Sequence, residues 1–164
     1  MFEPGNIVYH DNLIFNDSIK DNKEKRPCIV LFSIYRNNQA HVCTCPLTSQ
    51  VKTFNKHPRK YLFIPEVIYN YKKLSFVKLE DIRFYKEEET HDTGLRVDNE
   101  TLSILASKIK NYNPKKNKRL REVLNIVKEV YEYIGLFDII EEREIKKQNK
   151  ILKNEKRRMA KRLH

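Results

Sequence analysis

Residues 24–32 read EKRPCIVLF: two opposite charges, an arginine and a proline, then five apolar residues in a row. An apolar, β-branched run that begins abruptly after a polar cluster predicts a buried strand. Pro27 fixes its own φ at the mouth of that strand and biases Arg26 toward extended backbone. A permanently charged guanidinium therefore stands at the edge of a core element. A loop arginine ahead of a proline is also ordinary, so position alone leaves its role open.

The same rhythm continues on both sides. PGNIVYHDN (4–12) opens with a turn and a short β-rich run, and QAHVCTCPLTS (39–49) alternates. In the latter Ala40, Val42 and Thr44 share one face, and His41, Cys43 and Cys45 the other. RKYLFIPEVI (59–68) and SFVKLEDIRFY (75–85) are further strand candidates, and long polar loops cover Asn16 to Lys25 and Ser49 to Lys60. Short runs separated by Asn, Asp, Lys and Pro clusters predict a mostly β domain, a small closed or nearly closed barrel.

The second half changes period. VDNETLSILASKIKNY (97–112) has an N-cap signal at Asp98 or Asn99, then Leu102, Leu105, Ile109 and Tyr112 at helical spacing up to Pro114. Beyond it, Leu120, Val123, Leu124, Val127, Val130, Tyr131 and Ile134 form one stripe ending at Gly135. This stripe is expected to pack on the barrel or across a dimer. The organisation predicted is a β domain over 1–113 and a helical, basic extension over 114–164.

The chain has 164 residues, 34% of them charged, and a formal net charge of +11, which points to a polyanionic partner. Residues 141–164 hold ten Lys or Arg against four Glu, a surplus of six, so the basicity is concentrated in the tail. Lys156, Arg157, Arg158, Lys161 and Arg162 are the candidate nucleic-acid contacts there. A solvated helix laced with pairs such as Glu142–Lys146 explains the same run equally well.

Three glycines exclude a Gly-rich phosphate loop and a dinucleotide fingerprint. MFEPGNIVYHDN lacks the apolar segment of a signal peptide, and no stretch approaches a membrane span, so a cytoplasmic protein is expected. Cys28, Cys43 and Cys45 are expected to pack as small apolar side chains, because no second Cys/His pair follows at zinc spacing. No metal or cofactor is expected. The five histidines form no motif and are expected in loops or at the surface. What remains is Arg26 at the start of one strand and PLTSQ (46–50) at the end of the next. In an antiparallel hairpin these lie at one edge, so Arg26 and Thr48 would be neighbours. Turn chemistry accounts for the same Thr-Ser-Gln run.

PGNIVYHDN, KEKRPCIVLF (23–32) and VCTCPLTSQ (42–50), in that order, resemble the MazF/PemK toxins of bacterial type II toxin–antitoxin systems. The resemblance covers about residues 3–112, including L-x-D-I-R from Leu79 to Arg83 and the helix opening V-D-N-E-T-L. It implies a small SH3-like β-barrel, a homodimer, acting as an endoribonuclease on single-stranded RNA such as mRNA, without metal. It also implies a cognate antitoxin as partner. The family's catalytic arginine falls on Arg26 and its catalytic threonine on Thr48. Ser49 and Asp81 lie where the family contacts RNA, and Lys25 and Gln50 complete the substrate-binding set. The first loop, NDSIKDNKEK (16–25), lacks the family's glycines, and Asp81 stands where a glutamine is common. Two further readings stay open: a non-catalytic nucleic-acid-binding barrel, and a partner module whose basic helix docks an acidic protein.

Overall fold

The computed structural model describes residues 1–13, 26–48, 61–63 and 76–162. Among these, seven strands form one antiparallel sheet: β1 (Asn6–His10), β2 (Cys28–Arg36), β3 (Gln39–Thr48), β4 (Tyr61–Phe63), β5 (Phe76–Lys78), β6 (Arg83–Lys86) and β7 (Thr90–Arg96). Their order is β4-β5-β3-β2-β1-β7, and β6 also pairs with β3. The long loops expected over 16–25 and 49–60 lie outside the described residues.

The central element is the β2–β3 hairpin. Arg36 faces Gln39 across Asn37 and Asn38, whose φ values are 52° and 58°. Two left-handed residues in succession make a type I′ turn, and asparagine's short polar side chain tolerates that conformation. Further along, the register passes from Val30↔Thr44 to Phe32↔Cys43, so Leu31 is a bulge. Leu31 and Phe32 consequently both enter the main core.

On its other edge β3 serves two partners. His41 to Thr44 pair with β6, whereas Leu47 and Thr48 pair with β5. Pro46 lies at the changeover. Leu47 N–H points to β2, where it donates to Pro27 C=O at 2.9 Å. The nitrogen of Pro46 therefore faces the opposite edge, at the gap between the two ladders, and has no N–H to leave unpaired there.

The sheet curls strongly. His10 on β1 stacks on Tyr85 of β6 with ring centroids 3.8 Å apart. Three strand spacings, about 14 Å on a flat sheet, separate those strands in ladder order, so this face is concave. Yet no ladder joins β6 to β7 among the described residues, and the sheet is not closed into a barrel as the sequence predicts. The one-turn helix Glu87–Glu89 separates these two strands, and side chains rather than a ladder span the opening.

His10 is the centre of that span and corrects the expectation of a surface histidine: it is only 4% exposed. Thr90 Oγ1–H donates to Lys86 C=O at 2.9 Å, so Thr90 accepts from His10 Nδ1–H at 3.0 Å. The bare Nε2 then accepts from Thr44 Oγ1–H at 2.8 Å. Hydrogen-bond inventory thus selects the Nδ1–H tautomer of a neutral ring. Burial holds its pKa down at about 4, with Asp11 opposing and His91 adding slightly to the effect.

Three helices follow among the described residues: α1 (Asn99–Asn111), α2 (Lys118–Tyr133) and α3 (Leu136–Arg162). Asp98 caps α1 by accepting from Thr101 N–H at 2.7 Å, and Asn117 caps α2 by accepting from Leu120 N–H at 3.0 Å. The core does not stop at residue 113. Leu102, Leu105 and Ile109 of α1 and Leu120, Leu124, Val127 and Tyr131 of α2 belong to the same buried cluster as Ile29, Cys43 and Cys45 of the sheet. The predicted stripe thus packs on the sheet, except that Ile134, just past the end of α2, is 48% exposed. Cys28, Cys43 and Cys45 are buried free thiols. SFVKLEDIRFY, read as one strand, is two, β5 and β6, split by the one-turn helix Leu79–Asp81, which turns Leu79 into the core. None of the described helices is long and apolar enough to cross a membrane.

Acid should destabilise the fold through His10. Its ring binds a proton below pH about 6.5 when unfolded but only below about 4 when folded, so stability present above 6.5 is lost as pH falls toward 4. The full loss is about 3 kcal/mol, and His10→Gln should shrink the difference between urea midpoints at pH 7 and pH 4.5. An unchanged difference would remove His10 as the cause. Leu124→Ala should cost about 2–5 kcal/mol, and far-ultraviolet and tyrosine signals should still report one transition. Separate melting of helices and sheet would contradict a shared core.

Candidate functional site

The open end of the β2–β3 hairpin is built by the register already described. Cys28 faces Pro46, and Leu47 N–H donates to Pro27 C=O, so the pairing extends beyond the first residue of β2. Arg26 lies two residues before Cys28, and Thr48 two residues after Pro46. Continued antiparallel pairing sets these two backbone positions opposite each other. Arg26 is half-buried, and Cys28 Sγ–H donates weakly to its carbonyl at 3.8 Å. Thr48 ends β3, paired with Phe76 of β5 on the other edge. The end of β3 is thus flanked on both sides by backbone, which gives the site a stiff floor. Lys25, Ser49 and Gln50 lie outside the described residues.

Asp81 is elsewhere in character. It is fully buried in the turn after β5, where Lys78 Nζ approaches its Oδ2 at 3.0 Å. The one-turn helix puts residues 78 and 81 on one side, and this spacing makes the pair. Cys45 Sγ–H donates to Lys78 C=O at 2.9 Å, fastening the same turn to β3. From α2, Arg119 Nη1–H donates to Ile82 C=O at 3.3 Å. Burial lowers the pKa of Arg119, as does neighbouring Arg83, while Asp81 and Tyr85 oppose the shift. Lys78, Arg83 and Arg119 thus gather around an enclosed carboxylate. Residue type alone singles out none of these three cations; the signal available is the i,i+3 spacing of Lys78 and Asp81.

The tail candidates Lys156, Arg157, Arg158, Lys161 and Arg162 all lie on the exposed part of α3. No group of three or more His, Cys, Asp or Glu side chains suited to a metal ion forms among the described residues.

Chemically, the hairpin end offers a guanidinium residue opposite a strand terminus occupied by a hydroxyl residue. A planar guanidinium binds two oxygens of a phosphate by parallel hydrogen bonds, which a lysine cannot match. Residues 3–112, about two thirds of the chain, match the family model described as PemK-like, MazF-like toxin of type II toxin–antitoxin system. No curated protein matches the chain.

Proposed function

Because the chain belongs to the PemK-like, MazF-like toxins of type II toxin–antitoxin systems, we propose that it is an endoribonuclease cutting single-stranded RNA at the open end of the β2–β3 hairpin. The observation that carries this reading is the hairpin register, with Cys28 opposite Pro46 and Leu47 bound to Pro27, which sets positions 26 and 48 at one edge.

The proposed chemistry uses the substrate's own nucleophile. A ribose 2′-OH attacks the adjacent phosphorus, the bond to O5′ breaks, and the departing oxygen takes up a proton. The products are a 2′,3′-cyclic phosphate and a 5′-OH. The protein has to hold the attack in line and stabilise charge growing on the phosphorane oxygens. Arg26 is the clamp for those oxygens. A guanidinium has five N–H donors and no acceptor, so it serves as charge and hydrogen-bond donor rather than as a base. Thr48 donates its hydroxyl to the same phosphate. Lys25, Ser49 and Gln50, next to the pair in sequence, contact the RNA strand. Asp81, enclosed with Lys78, supports the turn beneath β5 instead of reading a base edge. No step requires a metal.

The family implies an antitoxin as partner. The proposed working form is a homodimer in the cytoplasm, held in check by that antitoxin.

Purified protein incubated with RNA in EDTA should leave cyclic phosphate and 5′-OH ends. Arg26→Ala and Thr48→Val should each slow cleavage by about 10²–10³-fold, the usual loss for one preorganised donor, with the melting curve unchanged. Cleavage by Arg26→Ala at the wild-type rate would defeat the assignment. RNA bound but never cut by the wild type would replace it with the non-catalytic nucleic-acid-binding reading.

A further inference from the structure

Among the described residues, α3 is anchored at its start. Phe137 is buried against Tyr131, ring centroids 5.9 Å apart, with Lys110 Nζ 5.2 Å above its ring. From Ile145 to Arg162 every residue is exposed. A helix this charged gains nothing from the core, so the distribution of its side chains around the axis decides what it can meet.

That distribution is uneven. At about 100° per residue, Lys146, Lys147, Lys150, Lys153, Arg157 and Lys161 fall within an arc of about 120°. No carboxylate between residues 145 and 162 enters that arc, and none of the six makes an ion pair among the described residues. The opposite side carries Ile145, Leu152 and Met159, seven residues apart and 56%, 54% and 67% exposed, with Ile151, 57% exposed, nearer its border. Glu155 is also on that side. The cationic row from Lys146 to Lys161 is about 22 Å long at about 1.5 Å per residue.

We propose that this face of α3 is a sequence-independent contact for the phosphate backbone of a nucleic acid, on an element separate from the Arg26 and Thr48 hairpin. Charge alone satisfies such a partner, since neutralising phosphates releases counterions without any apolar anchor. A protein partner would need apolar or aromatic residues at the centre of the contact, and the arc holds none. An anionic membrane would need a broad apolar face, but here Gln148, Glu155 and Arg162 separate Ile151 from the narrow row of Ile145, Leu152 and Met159. The angular reading also reassigns the basic tail. Arg157 and Lys161 lie within the arc and Arg158 at its margin, whereas Lys156 and Arg162 point about 120° away from its centre.

The test compares two variants of the full chain that remove the same charge. Lys150→Gln/Arg157→Gln empties the middle of the arc, and Lys156→Gln/Arg162→Gln lies off it. Fluorescence anisotropy across a salt series would use 2′-O-methylated single-stranded RNA and duplex DNA, neither of which can be cut through a 2′-OH. Binding is therefore read whatever becomes of the cleavage reading. The on-arc pair should weaken binding about tenfold or more near 0.1 M salt. It should also flatten the log–log salt slope by about 1.4 on single strands or 1.8 on duplex, and the two probes rank the strand preferred. The off-arc pair should do less than half of this, with circular dichroism showing equal helix content. Equal losses from both pairs would reduce the effect to net charge and overturn the proposal. So would unaltered binding by the on-arc variant, or binding of the wild type to anionic vesicles but to neither nucleic acid.

Discussion

A strand has two edges, and β3 must satisfy three neighbours with them. One edge belongs to β2 along its length; the other passes from β6 to β5 around Cys45 and Pro46. The sheet's geometry follows from that division. Because β6 leaves β3 after Thr44, the chain can turn through Leu79–Asp81 and bring its second partner in beside the last residues of β3. The end of β3 then has ordered backbone on both flanks, with Thr48 paired to Phe76 and Leu47 bound to Pro27, one residue from Arg26. Proline suits the changeover because any other residue there would direct an N–H into the gap. Curling of the sheet depends on the same arrangement, since β6 holds Tyr85 against His10 while still paired to β3.

The helices divide by how they earn their place. α1 and α2 complete the sheet's core, and Arg119 of α2 ties itself to the carbonyl of Ile82 next to the enclosed Asp81. The ground beneath β5 is therefore made jointly by residues on both sides of residue 112, where the family match ends. Among its described residues α3 meets the core through Leu136 and Phe137, and from Ile145 to Arg162 it is exposed. Its exposed length carries charge instead of packing, which frees its composition to be set by whatever it binds.

Much of this was legible in the residues because burial writes itself as period and run length. CIVLF marks a core strand, Asp98 and the Leu102–Leu105–Ile109 spacing mark α1, and the stripe from Leu120 to Tyr131 marks α2. β7 escaped because THDTGLR is an edge strand with most residues in water, and so bears no apolar alternation. His10 was legible in principle: it sits two residues after buried Val8 on the same face, but its polar type argued for the surface. Partner choice along β3 is not a local property at all, and neither the open sheet nor the burial of Asp81 follows from any window of sequence. Arg26 and Thr48 were legible as the two ends of one hairpin, since antiparallel pairing alone brings them together.

Three thiols are sealed inside this structure, two on the helix-facing side of the sheet and Cys28 on its concave side. Burial pushes the pKa of Cys28 up to about 12 and raises those of Cys43 and Cys45 as well. As protonated thiols out of contact with water they are indifferent to oxidants and alkylating reagents while the protein is folded. Only an opening that separates the hairpin from its neighbours uncovers them. The protein thereby carries an internal clock of its own unfolding: the rate at which a thiol reagent is consumed reads how often the central hairpin comes apart, with no label added.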